Sequence, residues 1–232
     1  MTRPAPATTL PEEILLLGLD PRRGSALRTR AFLRYATAGA VLAELELQGR
    51  VREEGGRVHV VGPLGPADPL LAALLRTLDP PGKSRLRSGT SAKGWVRRHA
   101  RGAEEGHLDA LVQRGVLRRE TRRFLGLFPF QRHFPGDPDP VGAARRRFTR
   151  AEEQGFPDHR SRVLAALVAA AGLAGALSGR GREGASAMKL LRRAQWTARA
   201  VHRNVKQDRS SSGGGGDGGS WSDGGDGSGG GD

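Results

Sequence analysis

The side chains that usually carry chemistry are sparse in this sequence or wrongly spaced for it. There is no cysteine, which excludes disulfides, thiol nucleophiles and thiolate metal sites. His59, His99, His107, His133, His159 and His202 are scattered, none at a metal-ligand spacing from another histidine or a carboxylate. Gly89, Ser91 and Gly94 do not form a G-x-S-x-G nucleophile elbow. Gly82-Lys83-Ser84 follows two prolines rather than a strand and a glycine loop, so it is not a phosphate-binding P-loop. The carboxylate pairs Glu12/Glu13, Glu104/Glu105 and Glu152/Glu153 fall at expected helix starts or exposed turns. Solvation and the helix dipole account for them there without general acid–base work. The reading is of a protein that is not an enzyme and takes no cofactor.

What the chain has in quantity is arginine. Its formal net charge is +14 and its isoelectric point about 11.5. From Ser210 onward the sequence holds Asp217, Asp223, Asp226 and Asp232 but no lysine or arginine, so the rest is more basic still. Such a field attracts polyanions, either nucleic acid or the anionic face of a membrane. The plainer alternative is a composition that places arginine wherever a solvated cation is tolerated. Two clusters stand out: Arg97, Arg98 and Arg101, then Arg118, Arg119, Arg122 and Arg123 beside the apolar run Phe124–Phe130.

The elements that must position these clusters follow from periodicity. Residues 1–8 read as a disordered leader. Thr9-Leu10-Pro11-Glu12-Glu13 opens a helix that Gly18 ends. A long helix is expected over 26–48, with only small residues between Ala36 and Ala40 so that a neighbour can approach closely. Arg50–Glu53 and Arg57–Val61 form a hairpin across Gly55-Gly56. Pro69–Leu78 is a short helix, Pro80–Thr90 a basic connector, and Ser91–Arg101 a helical segment with Trp95 as its apolar anchor. Residues from His107 read as the end of a helix that Gly115 stops, followed by a second hairpin with a basic turn. Its returning strand is expected over Phe124 to Phe130, with Phe124, Phe128 and Phe130 on one face and Leu125 and Leu127 on the other. Helices follow over 141–154, 159–177 and 187–206, the last amphipathic with Trp196 on its basic side. Residues 210–232 are Gly/Ser/Asp low complexity and expected to be disordered. The offset that carries Gly49 onto Gly115 also pairs Leu42 with Leu108, Leu45 with Leu111 and Val51 with Leu117, which predicts two copies of one helix-plus-hairpin unit. The fold class is mainly α: a central helix bundle ringed by amphipathic helices, with two short β-hairpins.

Neither the N-terminus nor any later segment reads as a signal peptide or a spanning helix; the longest uncharged run, Val163–Ser178, is short of the roughly 20 residues needed. Two binding classes remain. A helix, a helix and a basic hairpin have the outline of a winged helix on DNA, with Arg97 and Arg98 near phosphates. Basic residues beside Phe, Leu and Trp suit shallow insertion into an anionic membrane surface.

LPEEILLLGLD, LRYATAGAVLAELELQGRV, GPADPLL, KGWVRRHA, LVQRGVLRRETRRFLGLFPF and LAALVAAAGLAGAL, in this order, resemble the Golgi phosphoprotein 3 family over roughly residues 9–206. The resemblance implies a helical bundle with a protruding hairpin, in a peripheral membrane protein with relatives in bacteria. Eukaryotic members bind phosphatidylinositol 4-phosphate, use the hairpin in membrane contact or self-association, and act as adaptors for protein tails. Their head-group pocket takes a tryptophan and an arginine from the long early helix, at positions matching Thr29 and Ala38. Two further arginines match Arg101 and Glu104, so one of the four survives. The lipid-binding residues expected here are Arg30, Arg34, Arg97, Arg98 and Arg101, with Arg28 nearby. The hairpin residues expected in membrane contact or self-association are Arg118, Arg119, Arg122, Arg123, Leu127, Phe128 and Phe130. The expected setting is the cytoplasmic face of a membrane, with an anionic phospholipid or phosphoinositide head group as ligand.

Overall fold

Thirteen consecutive residues of one helix decide the architecture. From Leu33 to Leu45 every side chain but Arg34 is buried, a pattern that places a helix inside a bundle rather than on its surface. This helix, α2 (Arg30–Leu47), is packed by α1 (Leu10–Gly18), α4 (Ala92–Gln113), α6 (His159–Ala170) and α9 (Trp196–Ser212). The computed structural model describes residues 8–62, 65–78, 89–124 and 127–212. The short α3 (Pro69–Leu75), α5 (Pro140–Glu153), α7 (Ala174–Leu177) and α8 (Gly181–Ala194) complete the helices among those residues. The mainly α expectation holds.

The small residues of α2 do what their size predicts. Gly39 sits so close to α9 that a Cβ built on it would overlap Val201 Cγ2 and lie 3.2 Å from Leu167 Cδ2 of α6. Burial of charge at the ends of α1 and α2 is matched by pairing. Glu44 is 6 % exposed and accepts from Leu10 N at 2.8 Å and Arg160 Nη1 at 3.0 Å. Arg160 also donates to Thr8 O at 2.8 Å, which ties down the chain before α1.

Among the described residues, three small antiparallel sheets sit around the bundle. β1 (Leu19–Asp20) pairs with β2 (Ser25–Ala26), and this pairing delays the start of α2 from the expected residue 26 to Arg30. β3 (Val51–Glu54) and β4 (Arg57–Val60) form the expected first hairpin, and β5 (Thr90–Ser91) adds an unforeseen third strand. β6 (Leu117–Phe124) and β7 (Phe128–Pro135) form the second hairpin.

The two helix–hairpin units share their junction. Gly49 and Gly115 have φ of +66° and +70°, a region open to glycine, and each helix closes with the same bonds. Arg50 N donates to Leu45 O at 2.8 Å and Val116 N to Leu111 O at 2.9 Å.

Several expectations are corrected. Phe124 ends the outgoing strand, opposite Phe128, rather than beginning the return, so the arginines lie along β6 and not in the turn. The side chains of Phe124 and Phe128, and all of residues 125 and 126, lie outside the described residues. The helix expected over 159–177 breaks after Ala170, because Gly172 takes φ +75° and Leu173 N turns back to Val168 O at 3.0 Å. The single helix expected over 187–206 is two, α8 and α9, separated at the extended Gln195. The break resets the helical phase: Met188 is buried while Leu190 is exposed. Trp196 packs against a neighbour, donating Nε1 to Glu46 Oε1 at 2.7 Å. Helix α9 continues to Ser212, past the expected start of the tail; the rest of the tail, most of the leader and most of the basic connector lie outside the described residues.

Candidate functional site: an arginine cleft between two helices and a hairpin

Helix spacing puts Arg30 and Arg34 one turn apart on α2, where α2 emerges from the core. Arg101, Glu105, Leu108 and Asp109 line the facing side of α4. The β6–β7 ladder pairs Arg119 with His133 and Thr121 with Gln131, and residues directly paired in an antiparallel ladder share a face. That face closes a cleft of about 510 Å³ lined by all of these residues and Phe130. A second lobe of about 290 Å³ continues it past Arg28, Glu104 and the turn at Gly24, sharing Arg30, Leu108, Phe130, Gln131 and His133. The base of the hairpin is fixed there: His133 N donates to Gly24 O at 2.9 Å and Arg132 Nη1 to Arg23 O at 3.0 Å.

Glu104 holds the cleft together. It is 2 % exposed and accepts from Arg30 Nε at 3.1 Å and Arg34 Nε at 2.8 Å. A carboxylate buried this deeply costs several kcal/mol unless it is paired, and here two guanidiniums share it. Arg101 Nε donates to Glu105 at 2.8 Å, and Arg119 pairs with Asp109. Among the described residues, the η nitrogens of Arg30, Arg34 and Arg101 make no hydrogen bond, so each keeps its fork free. The carboxylate of Glu105 raises the Arg101 pKa above its ordinary value through their hydrogen bond. His133 is 5 % exposed and its Nε2 has no partner among the described residues. Burial, then the charges of Arg119 and Arg30, lower its pKa, so its imidazole is neutral at neutral pH.

The structure thus brings Arg30, Arg34 and Arg101 together, and adds Arg119 from the hairpin. It does not bring Arg97 and Arg98 to the cleft. Arg97 pairs with Asp208 of α9 at 3.3 Å, and Asp208 also accepts from Tyr35 Oη at 2.8 Å. Arg98 is exposed on α4 and lines neither lobe. Thr29 is the N-cap position of α2, and Ala38 is buried in the core.

Along the hairpin, Arg118, Arg119, Arg122 and Arg123 are exposed, and Leu127 at the tip is 78 % exposed. Phe130, expected among the exposed hairpin residues, is half-buried at the cleft with Arg132 stacked over its ring at 5.0 Å. A larger hollow of about 800 Å³ between α1, the end of α4 and the start of α5 contains none of the expected site arginines.

Sequence reasoning missed Glu104, reading it as a solvated carboxylate. Glu12, Glu104 and Glu152 are each buried, while their neighbours Glu13, Glu105 and Glu153 are more exposed. The signal was present: Glu104 falls on the helical stripe of Ala100, His107, Leu108 and Leu111, which faces inward. His133 was also missed, although the β period places it on the same face as Gln131.

The structure is thus a mainly helical bundle with arginines gathered between two of its helices and a basic hairpin. A family model of Golgi phosphoprotein 3 (GPP34) matches residues 10–207, and the chain belongs to that family. No curated protein matches the chain.

Proposed function

We propose that this chain is a peripheral membrane protein that holds an anionic lipid head group in the arginine cleft and rests its β6–β7 tip on the cytoplasmic face of a bilayer. One observation carries the reading: Arg30, Arg34, Arg101 and Arg119 line one open cleft at the base of a hairpin whose tip residue Leu127 is 78 % exposed. Guanidinium forks match phosphate oxygens, and basic residues beside an apolar tip combine electrostatic attraction with shallow insertion. No helix among the described residues is long and apolar enough to cross a membrane. Membership in the family supports lipid as the ligand. Phosphatidylinositol 4-phosphate is one candidate, and the replacement of three of the four matching pocket positions widens the class to anionic head groups.

Vesicle flotation tests the reading. The chain should float with phosphatidylcholine vesicles that carry anionic lipid and not with neutral ones. Arg101→Ala, at an exposed position, should weaken flotation by about fivefold, the worth of roughly one basic residue near an anionic surface, and Leu127→Ser should weaken it by removing the apolar tip. Equal flotation on both vesicle types, or on neither, refutes the proposal. A tight complex with duplex DNA that outcompetes anionic vesicles would replace it with the nucleic-acid reading.

A further inference from the structure

Two contacts between α4 and α9 fix where the chain goes after α9. Asn204 Nδ2 donates to Lys93 O at 3.0 Å, and one turn further along both helices Arg97 pairs with Asp208 at 3.3 Å. The helices therefore run side by side in the same direction. One turn on again, Arg101 stands level with Ser212, the last residue of α9. The packing of α2 agrees: Tyr35 Oη donates to Asp208 at 2.8 Å and Arg209 lies over the Phe32 ring at 5.0 Å, on the stretch of α2 that carries Arg30 and Arg34. Residues 213–232, which lie outside the described residues, thus begin about one interhelical distance, about 10 Å, from an arginine of the cleft.

The composition of that segment answers the cleft. It reads GGGGDGGSWSDGGDGSGGGD, with Asp217, Asp223, Asp226 and Asp232, no cation, and a single aromatic, Trp221, between Asp217 and Asp223. In the cleft Arg28 and Arg132 join Arg30, Arg34, Arg101 and Arg119 against Glu104, Glu105 and Asp109, an excess of three positive charges over both lobes. Guanidinium forks take carboxylates as they take phosphates. The second lobe adds apolar lining from Leu15, Leu19, Leu33, Leu108 and Phe130, and the Nε2 of His133 lacks a partner among the described residues. An indole covers apolar surface and brings an N–H of its own. The order along the chain matches too. From Ser212 the lobe of Arg101 and Arg34 comes first, the apolar lobe next and Arg28 within it, while Asp217 precedes Trp221 and Asp223 follows. Fully extended, the stretch from Ser212 to Trp221 reaches about 30 Å, more than the path requires.

We infer that residues 213–232 are an intramolecular occupant of the arginine cleft. Asp217 takes the free η nitrogens of Arg101 and Arg34, Trp221 fills the apolar lobe beside His133, and Asp223 meets Arg28. The segment then competes with an anionic head group for the same forks, and so sets how much anionic lipid a surface must hold before the chain binds it. The inference rests on the lipid reading above for that competitor alone. A segment tethered at this range meets its site at an effective concentration of about 4 mM; a contact with a dissociation constant of about 1 mM would then weaken head-group binding by about fivefold.

Fluorine NMR tests the contact without lipid. The full chain labelled with 5-fluorotryptophan gives one resonance for each of Trp95, Trp196 and Trp221, the last assigned by its loss in Trp221→Ser. At low salt the Trp221 resonance should differ from that of a peptide of residues 213–232. It should move to the peptide's position with Arg101→Ala, or in about 1 M salt, where charges are screened within about 3 Å. A resonance at the peptide's position in low salt, or one unmoved by both changes, overturns the inference. A displacement that appears only as the chain concentration rises overturns the intramolecular contact and assigns the cleft to the segment of a second copy.

Flotation on phosphatidylcholine vesicles containing phosphatidylglycerol measures the competition. Trp221→Ser keeps every charge and should strengthen binding by about fivefold. Unchanged binding overturns the inference, and weaker binding does so by making the indole a membrane anchor. If neither chain floats while the Trp221 resonance still answers to Arg101→Ala, the lipid reading falls and the contact stands. A chain that floats with its Trp221 resonance at the peptide's position overturns the contact and leaves the lipid reading intact.

Discussion

Gly39→Ala sets two opposed effects against each other, and the structure decides between them. In the interior of a helix, alanine is favoured over glycine by about 1 kcal/mol. Against this, the new Cβ would overlap Val201 Cγ2 and approach Leu167 Cδ2 to 3.2 Å. Val201 is fully buried and β-branched, and a β-branched side chain in a helix has essentially one χ1 rotamer, so it cannot swing aside. Either α9 moves or both contacts stay compressed; overpacking of this kind costs typically about 1–3 kcal/mol. The overlap falls on a rigid group, which places the cost at the upper end and leaves a net loss of about 1–2 kcal/mol. At roughly 2–4 °C per kcal/mol for a chain of this size, the melting temperature should fall by about 2–8 °C. The decisive assay is a double-mutant cycle by urea denaturation with Val201→Ala, which removes the opposing methyl groups. The pair should be less destabilised than the sum of the two single changes. A Gly39→Ala chain as stable as the parent, or strict additivity in the cycle, would refute the close-approach argument.

Two further outcomes follow from buried charge. Arg114→Ala leaves the Glu12 carboxylate, whose side chain is 4 % exposed, without its guanidinium and should cost about 2 kcal/mol in urea denaturation, less than a fully buried pair because Arg114 is partly solvated; a loss below about 0.5 kcal/mol would show the pair to be incidental. Burial lowers the pKa of His99, His107, His133 and His202 beneath the ordinary 6.5, so their contribution to stability is complete above pH 6.5 and is lost as the pH falls through the folded values. Glu13 and Glu46, raised by burial above 4.5, act with the opposite sign: their contribution is complete below pH 4.5 and is lost as the pH rises through their folded values. With four histidines against two partly solvated carboxylates, the melting temperature should drop between pH 7.5 and 5.5; an unchanged or rising value would contradict that balance.

Local chemistry made much of the fold legible. Thr9 to Glu13 announces a helix start, and Glu12 does reach back to Thr9 N at 3.1 Å. The small residues from Ala36 to Ala40 announce a close helix contact, which Gly39 makes. What failed was phase and distance. The breaks at Gly172 and Gln195 interrupt apolar patterns that continue on either side, so periodicity alone runs through them. Placing the turn of the second hairpin required the pairing of Leu117 with Pro135, and only a completed ladder fixes that register. The cleft was half legible: its arginines were visible as a basic excess. Their carboxylates were not, because Arg30 and Glu104 stand 74 positions apart and no local rule joins them.

The length of the second hairpin separates two ranges of interaction. Thr121 and Gln131, at the cleft, stand three ladder steps from Phe124 and Phe128 at its far end. At about 3.3 Å per residue this is about 10 Å, which is also the distance over which salt at about 0.1 M screens a charge. A surface touching Leu127 would therefore lie at the edge of the cleft's electrical reach, felt in dilute salt and nearly hidden in concentrated salt. Under the proposed reading the hairpin would be a spacer, and the ionic strength of the surroundings would govern whether contact at the tip and attraction at the cleft operate together or one at a time.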